Sequence, residues 1–265
     1  MIVEQSSQAL LPKPLKDAFT RPQRRSPSFE QQARLNQGDY FEHPYAGGHL
    51  AAWRFGDGTP VLLVHGWDAC AADMLTLLDP LLAAGHSVVV FDNPAHGRSS
   101  GERTSVLDIG EAVYSLASAL DEVRALVAHS VGSAASLWAF QRGLRVQTSV
   151  HFAGPSSLSA MLSLTARAFG LPPVVESALL DWGAELIGRP LADLDVENLC
   201  GALRHPGLII HDPQDRVVPF AASQTLHAYW PDSRLIAAEG LGHNRVLSDA
   251  QLIEQVLDFV GPVSA

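Results

Sequence analysis

The chain of 265 residues is poor in the groups that staple, anchor or steer a protein by charge. It has two cysteines, Cys70 and Cys200, in neither a CxxC pair nor a Cys/His cluster. That argues against a disulfide framework and against a zinc site. Basic residues are scarce: 18 Lys+Arg face 28 Asp+Glu, for a net charge of −10. A phosphate backbone needs a positive surface, so nucleic acid is not an expected partner. No apolar run approaches the ~20 residues that span a bilayer. The opening MIVEQSSQALLPKP lacks the basic start and long apolar stretch of a signal peptide. These absences predict a reduced, cytoplasmic protein without a membrane span. HExxH, GxxxxGK[ST] and an early GxGxxG are all missing. The eleven histidines are not spaced as pairs of ligands. Neither a metal nor a cofactor is expected.

What the chain does have is apolar bulk. Hydrophobic residues make up 47% and charged residues 17%, the reverse of a disordered composition. The length suits one large domain or two small ones. Residues 1–37 hold four prolines and a basic knot, Arg21, Arg24 and Arg25. They read as a solvated N-terminal arm, with a possible helix at 29–35. From Gly38 the pattern changes. Segments 40–43 and 49–55 read as strands around a turn. Short apolar runs then alternate with helical stretches: strands at 61–64, 87–91, 125–129, 148–152, 208–211 and 234–238, and helices at 71–83, 106–120, 132–141, 221–229 and 251–259. The last helix opens on Ser248-Asp249-Ala250-Gln251, which has the form of a capping box. Strands apolar on both sides and separated by helices predict a mostly parallel α/β sheet with helices on both faces.

Residues 155–205 break the rhythm, with helices and no convincing strand. Val175, Leu179, Trp182 and Leu186 recur at helical spacing, which predicts one buried face. An insert at the carboxyl end of a strand lies over the crevice where open α/β sheets bind ligands. The expected division is therefore an arm (1–37), a core (38–154 and 206–265) and a helical cap (155–205).

The strongest chemical signal is Ala128-His129-Ser130-Val131-Gly132, at the junction of a buried strand with a helix rich in small residues. A serine on so sharp a turn is pushed out of the sheet, and small residues two before and two after relieve the crowding. Serine is a weak nucleophile and needs a base. Two later strand ends supply one with an orienting acid: Asp215, in HDPQDRVVP, and His243, in GLGHN. Asp212 is a rival acid. In a parallel sheet all three strand ends share one edge. His65-Gly66-Trp67 follows another strand there, so the Trp67 and Val131 N–H groups are candidate oxyanion donors. Trp67, His129 and Trp182 are candidate pocket residues.

With these residues in place, the chain resembles the α/β-hydrolase superfamily over roughly residues 39–261. Asp92-Asn93-Pro94-Ala95-His96-Gly97-Arg98-Ser99 is similar to that family's D-x-P-x-H-G-x-S stretch. The resemblance implies an eight-stranded sheet, a helical cap, a Ser–His–Asp triad, and structural roles for Asp92 and His96. Ala128 in place of the elbow glycine and the long arm depart from the pattern. Relatives that split carbon–halogen bonds or epoxides carry Asp at the elbow, where this chain has Ser130. Aminopeptidase-like relatives use a cap carboxylate, but Glu176, Asp181 and Glu185 read as solvent-facing. The expected activity is hydrolysis of an ester-like or related acyl bond in a small-molecule substrate. An acyltransferase, a carbon–carbon bond hydrolase or a non-catalytic receptor on the same fold are the alternatives. Monomer and homodimer both fit.

Overall fold

The computed structural model describes residues 11–262. Eight strands form one sheet: β1 (Asp39–Tyr45), β2 (Gly48–Phe55), β3 (Pro60–Val64), β4 (Ser87–Phe91), β5 (Ala125–His129), β6 (Thr148–Phe152), β7 (Gly207–His211) and β8 (Ser233–Ala237). Their spatial order is β1-β2-β4-β3-β5-β6-β7-β8. β2 pairs antiparallel with β1 and β4, and every other pair is parallel. The helices are α1 (Lys13–Ala18), α2 (Phe29–Leu35), α3 (Leu78–Ala83), α4 (Val106–Ala119), α5 (Val131–Gln141), α6 (Leu158–Ala168), α7 (Pro173–Ile187), α8 (Val196–Leu199), α9 (Ala221–Tyr229), α10 (Gly242–Arg245) and α11 (Ala250–Val260).

The central strands β3, β4, β5 and β7 are buried along their whole length, as their unbroken apolar runs require. Alternate residues feed two cores. Leu62, Val64, Val89, Leu126 and Ile209 point to the side of α4 and α5. Val61, Leu63, Val88, Val127 and Ile210 point to the side of α3 and α11. A period of two along each strand therefore fills both layers from one set of sequence positions.

Four expectations need correction. The predicted helix over 71–83 is two pieces, a 3₁₀ turn at Ala71–Met74 and α3. Pro80 has no N–H to give Thr76 and its ring crowds that carbonyl, so an unbroken helix is excluded, whereas Pro is tolerated in the first turn of α3. The N-cap of α11 is Asp249 rather than Ser248, with the Asp249 carboxylate accepting from the Leu252 N–H at 3.0 Å. In α7, Leu179 and Trp182 are buried as expected and Val175 half-buried, but Leu186 is 42% exposed. It borders a cavity instead of the packed core.

The fourth correction concerns the arm. Its described part is docked rather than loosely solvated. Thr104 N–H donates to the Thr20 carbonyl at 2.8 Å, and Arg103 reaches Thr20 Oγ1 and Asp17 at 2.6 Å each. Arg21 pairs with Glu102 at 2.5 Å and Arg25 with Asp73 at 3.1 Å, while Arg24 donates to the Gly97 carbonyl at 2.6 Å. The basic knot is therefore the fastening of the arm onto the loops after β3 and β4. The helix expected at 29–35 is α2, with a capping box between Ser28 and Gln31.

Candidate active site

β5 hands over to α5 at Ser130, whose φ of 53° and ψ of −125° lie outside the regions an ordinary L-residue occupies. Such strain persists only where the surroundings fix it. Here the Ser130 N–H donates to the Phe152 carbonyl at 2.8 Å and the Ser130 carbonyl accepts from Ser133 at 2.9 Å. Gly132 supplies the clearance. A Cβ there would stand 2.5 Å from the His65 carbonyl oxygen and 2.9 Å from that of Val64. Gly66 does the same from the other side, since its Cβ would be 3.0 Å from Ser130 Cβ.

The loops after β7 and β8 meet at this turn. Ser130 Oγ–H donates to His243 Nε2 at 2.9 Å, and His243 Nδ1–H donates to Asp215 Oδ2 at 2.7 Å. The Asp215 side chain is fully buried and that of His243 is 11% exposed. Asp215 Oδ1 accepts from the N–H groups of Val217 at 2.7 Å and Val218 at 3.2 Å. Burial alone would raise the Asp215 carboxyl, but the His243 hydrogen bond and these two N–H groups outweigh it and hold its pKa below the usual range. The acid is thus kept charged, with one oxygen aimed at the imidazole.

Asp212, the rival acid, has a different place. Its Oδ2 accepts from the Gly242 N–H and its Oδ1 from the Gln214 N–H at 2.7 Å. Burial opposes its charge, but the N–H groups of Gly242, Gln214, Leu241 and Gly240 lower its pKa overall. It ties the β7 loop to the loop carrying His243. The roles of two further groups escape sequence reasoning. His211 Nε2–H is shared between Asp215 Oδ2 at 3.1 Å and the Val218 carbonyl at 3.0 Å, while its Nδ1 accepts from Ser223 at 2.7 Å. A polar residue ending an otherwise apolar strand, GLIIH, is the signal that could have found it. His65 Nε2 accepts from the Asn93 N–H at 2.9 Å, so its Nδ1–H donates to the Gly66 carbonyl at 2.7 Å. Burial pushes the His65 pKa down to about 4, which keeps that tautomer neutral. The clamped carbonyl shares a peptide plane with the Trp67 N–H, whose direction is thereby set.

Val131 opens α5, so its N–H has no helical carbonyl to bond. His129 is 5% exposed. Its Nε2–H donates to the His243 carbonyl at 2.9 Å, with the two rings 4.8 Å apart. Burial and the neighbouring His243 push its pKa down to about 4. It therefore supports the loop from below, touching only the groove described next and not the apolar cavity. Asp92, buried beside the site, accepts from the N–H groups of Ala71 and Arg98 at 2.7 Å each, and His96 Nδ1–H donates to the Pro94 carbonyl. Asp92 thereby ties together the loops after β3 and β4.

Ser130 sits between two openings. One is a cavity of about 280 Å³ bordered by Phe19, Trp67, Trp138, Met161, Trp182 and Leu186 among others. Among the described residues no titratable side chain lines it. Its remaining hydroxyls are engaged elsewhere, Ser105 with Asp108 and Ser157 with Ser159 at 2.8 Å each. Phe19 of the arm meets Trp182 of α7 with ring centroids 6.4 Å apart. The other opening is a larger polar groove that His243 also borders. Trp67 borders both and stands edge-on to His96 at 5.4 Å.

A mostly parallel eight-stranded sheet with a serine thrust out at a strand-to-helix turn defines the hydrolase class of α/β proteins. The chain belongs to the alpha/beta hydrolase family, whose sequence model matches residues 61–256. No curated protein matches it in sequence. Among solved structures, an esterase from Pyrococcus furiosus superposes with a TM-score of 0.68 at 18% identity, over 91% of this chain and 100% of its own. An esterase from Rhodococcus sp. gives 0.64 at 20% identity, over 83% and 98%. A bromoperoxidase from Bacillus anthracis gives 0.64 at 19% identity, over 84% and 99%. At these identities the likeness is one of fold. Among the described residues no helix is long and apolar enough to cross a membrane.

Proposed function

We propose that this protein is a serine hydrolase that cleaves an ester or related acyl bond through a covalent acyl-enzyme. The observation that carries this reading is the chain Ser130 Oγ–His243 Nε2–Asp215 Oδ2, at 2.9 and 2.7 Å, opening onto an apolar cavity. Ser130 Oγ forms a bond to the carbonyl carbon while its proton passes to His243 Nε2. Asp215 holds the tautomer and stabilises the imidazolium. The N–H groups of Trp67 and Val131 receive the oxyanion, the first fixed by the His65 clamp and the second left free by the start of α5. The carbon–oxygen bond to the leaving group then breaks, and His243 returns its proton to that oxygen. A water, deprotonated by His243, attacks the acyl carbon; the bond from that carbon to Ser130 Oγ then breaks, Oγ takes the proton back from His243, and the acid is released. Residues 38–154 and 206–265 serve as the catalytic core and 155–205 as a cap, with Trp182 forming part of the acyl pocket.

Ser130→Ala tests the reading. The change removes the nucleophile and little else, so turnover of p-nitrophenyl hexanoate should fall by roughly 10⁴–10⁶-fold, with the melting temperature preserved. Wild-type protein should be labelled by a fluorophosphonate at Ser130. Retention of more than a few per cent of wild-type activity by the variant, or absence of labelling, refutes the assignment.

A further inference from the structure

The two openings at Ser130 differ in chemistry, and only one of them touches His243. We propose that the polar groove between the arm and the His243 loop is a leaving-group subsite for a neutral, hydrogen-bonding alcohol or thiol. This rests on Ser130 and His243 acting as nucleophile and proton donor. The group that departs must carry the oxygen or sulfur that takes the proton from His243, so it occupies the opening that His243 borders. His243 borders the groove, of about 770 Å³, and not the apolar cavity, whereas Ser130 borders both. The acyl half is thereby directed into the cavity, which presents little polar surface to a polar chain. At about 280 Å³ that space falls short of a drug-sized pocket and suits an acyl group of medium length.

The groove is the more polar of the two. Arg25, Glu30, Gln31 and Arg34 of the arm line it together with Asp68, Asp73, Asp79 and Arg245. The arm lies outside residues 61–256, so this wall belongs to this chain and not to the family match. The charges are mixed, and the cations are already committed. Arg25 pairs with Asp73 at 3.1 Å, Arg34 with Asp79 at 2.5 Å, and Arg245 donates to the Leu241 and Gly240 carbonyls at 2.8 and 2.7 Å. A polyphosphate would find no free arginine cluster and would meet four carboxylates. A hydroxylated or amide-bearing group would meet carboxylate acceptors at Glu30 and Asp68 and the side-chain amide of Asn244.

The test compares inverted esters of matched composition. Glyceryl monohexanoate carries its hydroxyls on the leaving group, and hexyl glycerate carries them on the acyl group. The first should exceed the second in kcat/KM by about 100-fold, because glycerate hydroxyls in the cavity lose water and meet little polar surface in return. The hexanoyl thioester of N-acetylcysteamine should exceed that of coenzyme A by about tenfold. Glu30→Arg, an exposed change on α2, should shrink that second ratio severalfold by adding an unpaired cation to the groove. Equal rates, or a preference for hexyl glycerate or for the coenzyme A thioester, overturn the subsite, and a thioester ratio unmoved by Glu30→Arg removes the arm from it. Wild-type p-nitrophenyl hexanoate turnover and fluorophosphonate labelling run in parallel. If both succeed while the ester preference is absent, the subsite alone falls; if both fail, the hydrolase reading falls with it.

Discussion

At the scale of single residues, the two neighbouring aspartates of the β7 loop do different work. Asp215 spends one oxygen on His243 and His211 and the other on two backbone N–H groups. In Asp215→Asn the amide oxygen keeps the backbone donors, so its NH₂ faces His243. Nδ1 must then accept, and Nε2 carries the hydrogen where it should receive one. We expect kcat to fall on the order of 10⁴-fold. Asp212 touches the backbone of the His243 loop and not the imidazole. Asp212→Asn weakens charge-assisted hydrogen bonds, so it should cost only about tenfold through looser placement of His243. Steady-state rates on one activated ester decide the ranking. Equal losses in the two variants would contradict the division of labour.

At the scale of elements, the elbow and α7 set the site's two limits. α5 can start within contact of β3 only because position 132 has no side chain. Gly132→Ala should lower stability by about 1–3 kcal/mol through overpacking against backbone that cannot move aside, and should lower activity with it. Urea unfolding alongside ester turnover measures both. α7 supplies the cavity's side wall. Trp182→Ala removes a ring packed against Phe19 and should move the preferred ester toward longer acyl chains, with hydrolysis of the acetate ester reduced only a few-fold. A panel of p-nitrophenyl esters of rising chain length reads this directly. An unchanged profile with lowered stability would make Trp182 a packing residue alone.

For the whole molecule, the consequence is acid sensitivity. Burial pushes the pKa values of His65, His96, His129 and His205 down to about 4 and that of His151 to about 3, from 6.5. Below pH 6.5 the unfolded chain takes up protons at these histidines that the folded chain refuses, so stability falls as pH drops from there toward 4. Above pH 6.5 both states are neutral at these sites and the effect vanishes. Asp212 and Asp215, with lowered pKa values, keep their contribution across this window and lose it only as pH falls below the ordinary carboxylate value of 3.8. The urea midpoint should therefore drop between about pH 7 and pH 5. A flat profile over that range would mean the histidines are hydrated.

The division between what sequence determines and what tertiary structure decides follows interaction range. Unbroken apolar runs flanked by helical periodicity specify the strands and their burial, because those signals are local. The elbow is legible for the same reason: Ser130 and Gly132 are near neighbours whose crowding follows from their spacing. Asp215 and His243 are legible as residue types at strand ends, since a parallel sheet brings those ends to one edge. The choice of Asp215 over Asp212 is geometrical, because three residues of loop turn one carboxylate toward the imidazole and the other toward backbone N–H groups. The supporting histidines His65, His129 and His211 depend on hydrogen bonds closed across the fold, to which no periodicity corresponds. The arm depends on it most. Its composition reads as solvated, yet partners some 80 positions away, Glu102 and Arg103, bind it down and bring Phe19 to Trp182. Local sequence carries the cost of ordering such a segment, and only the assembled surface supplies the contacts that offset it.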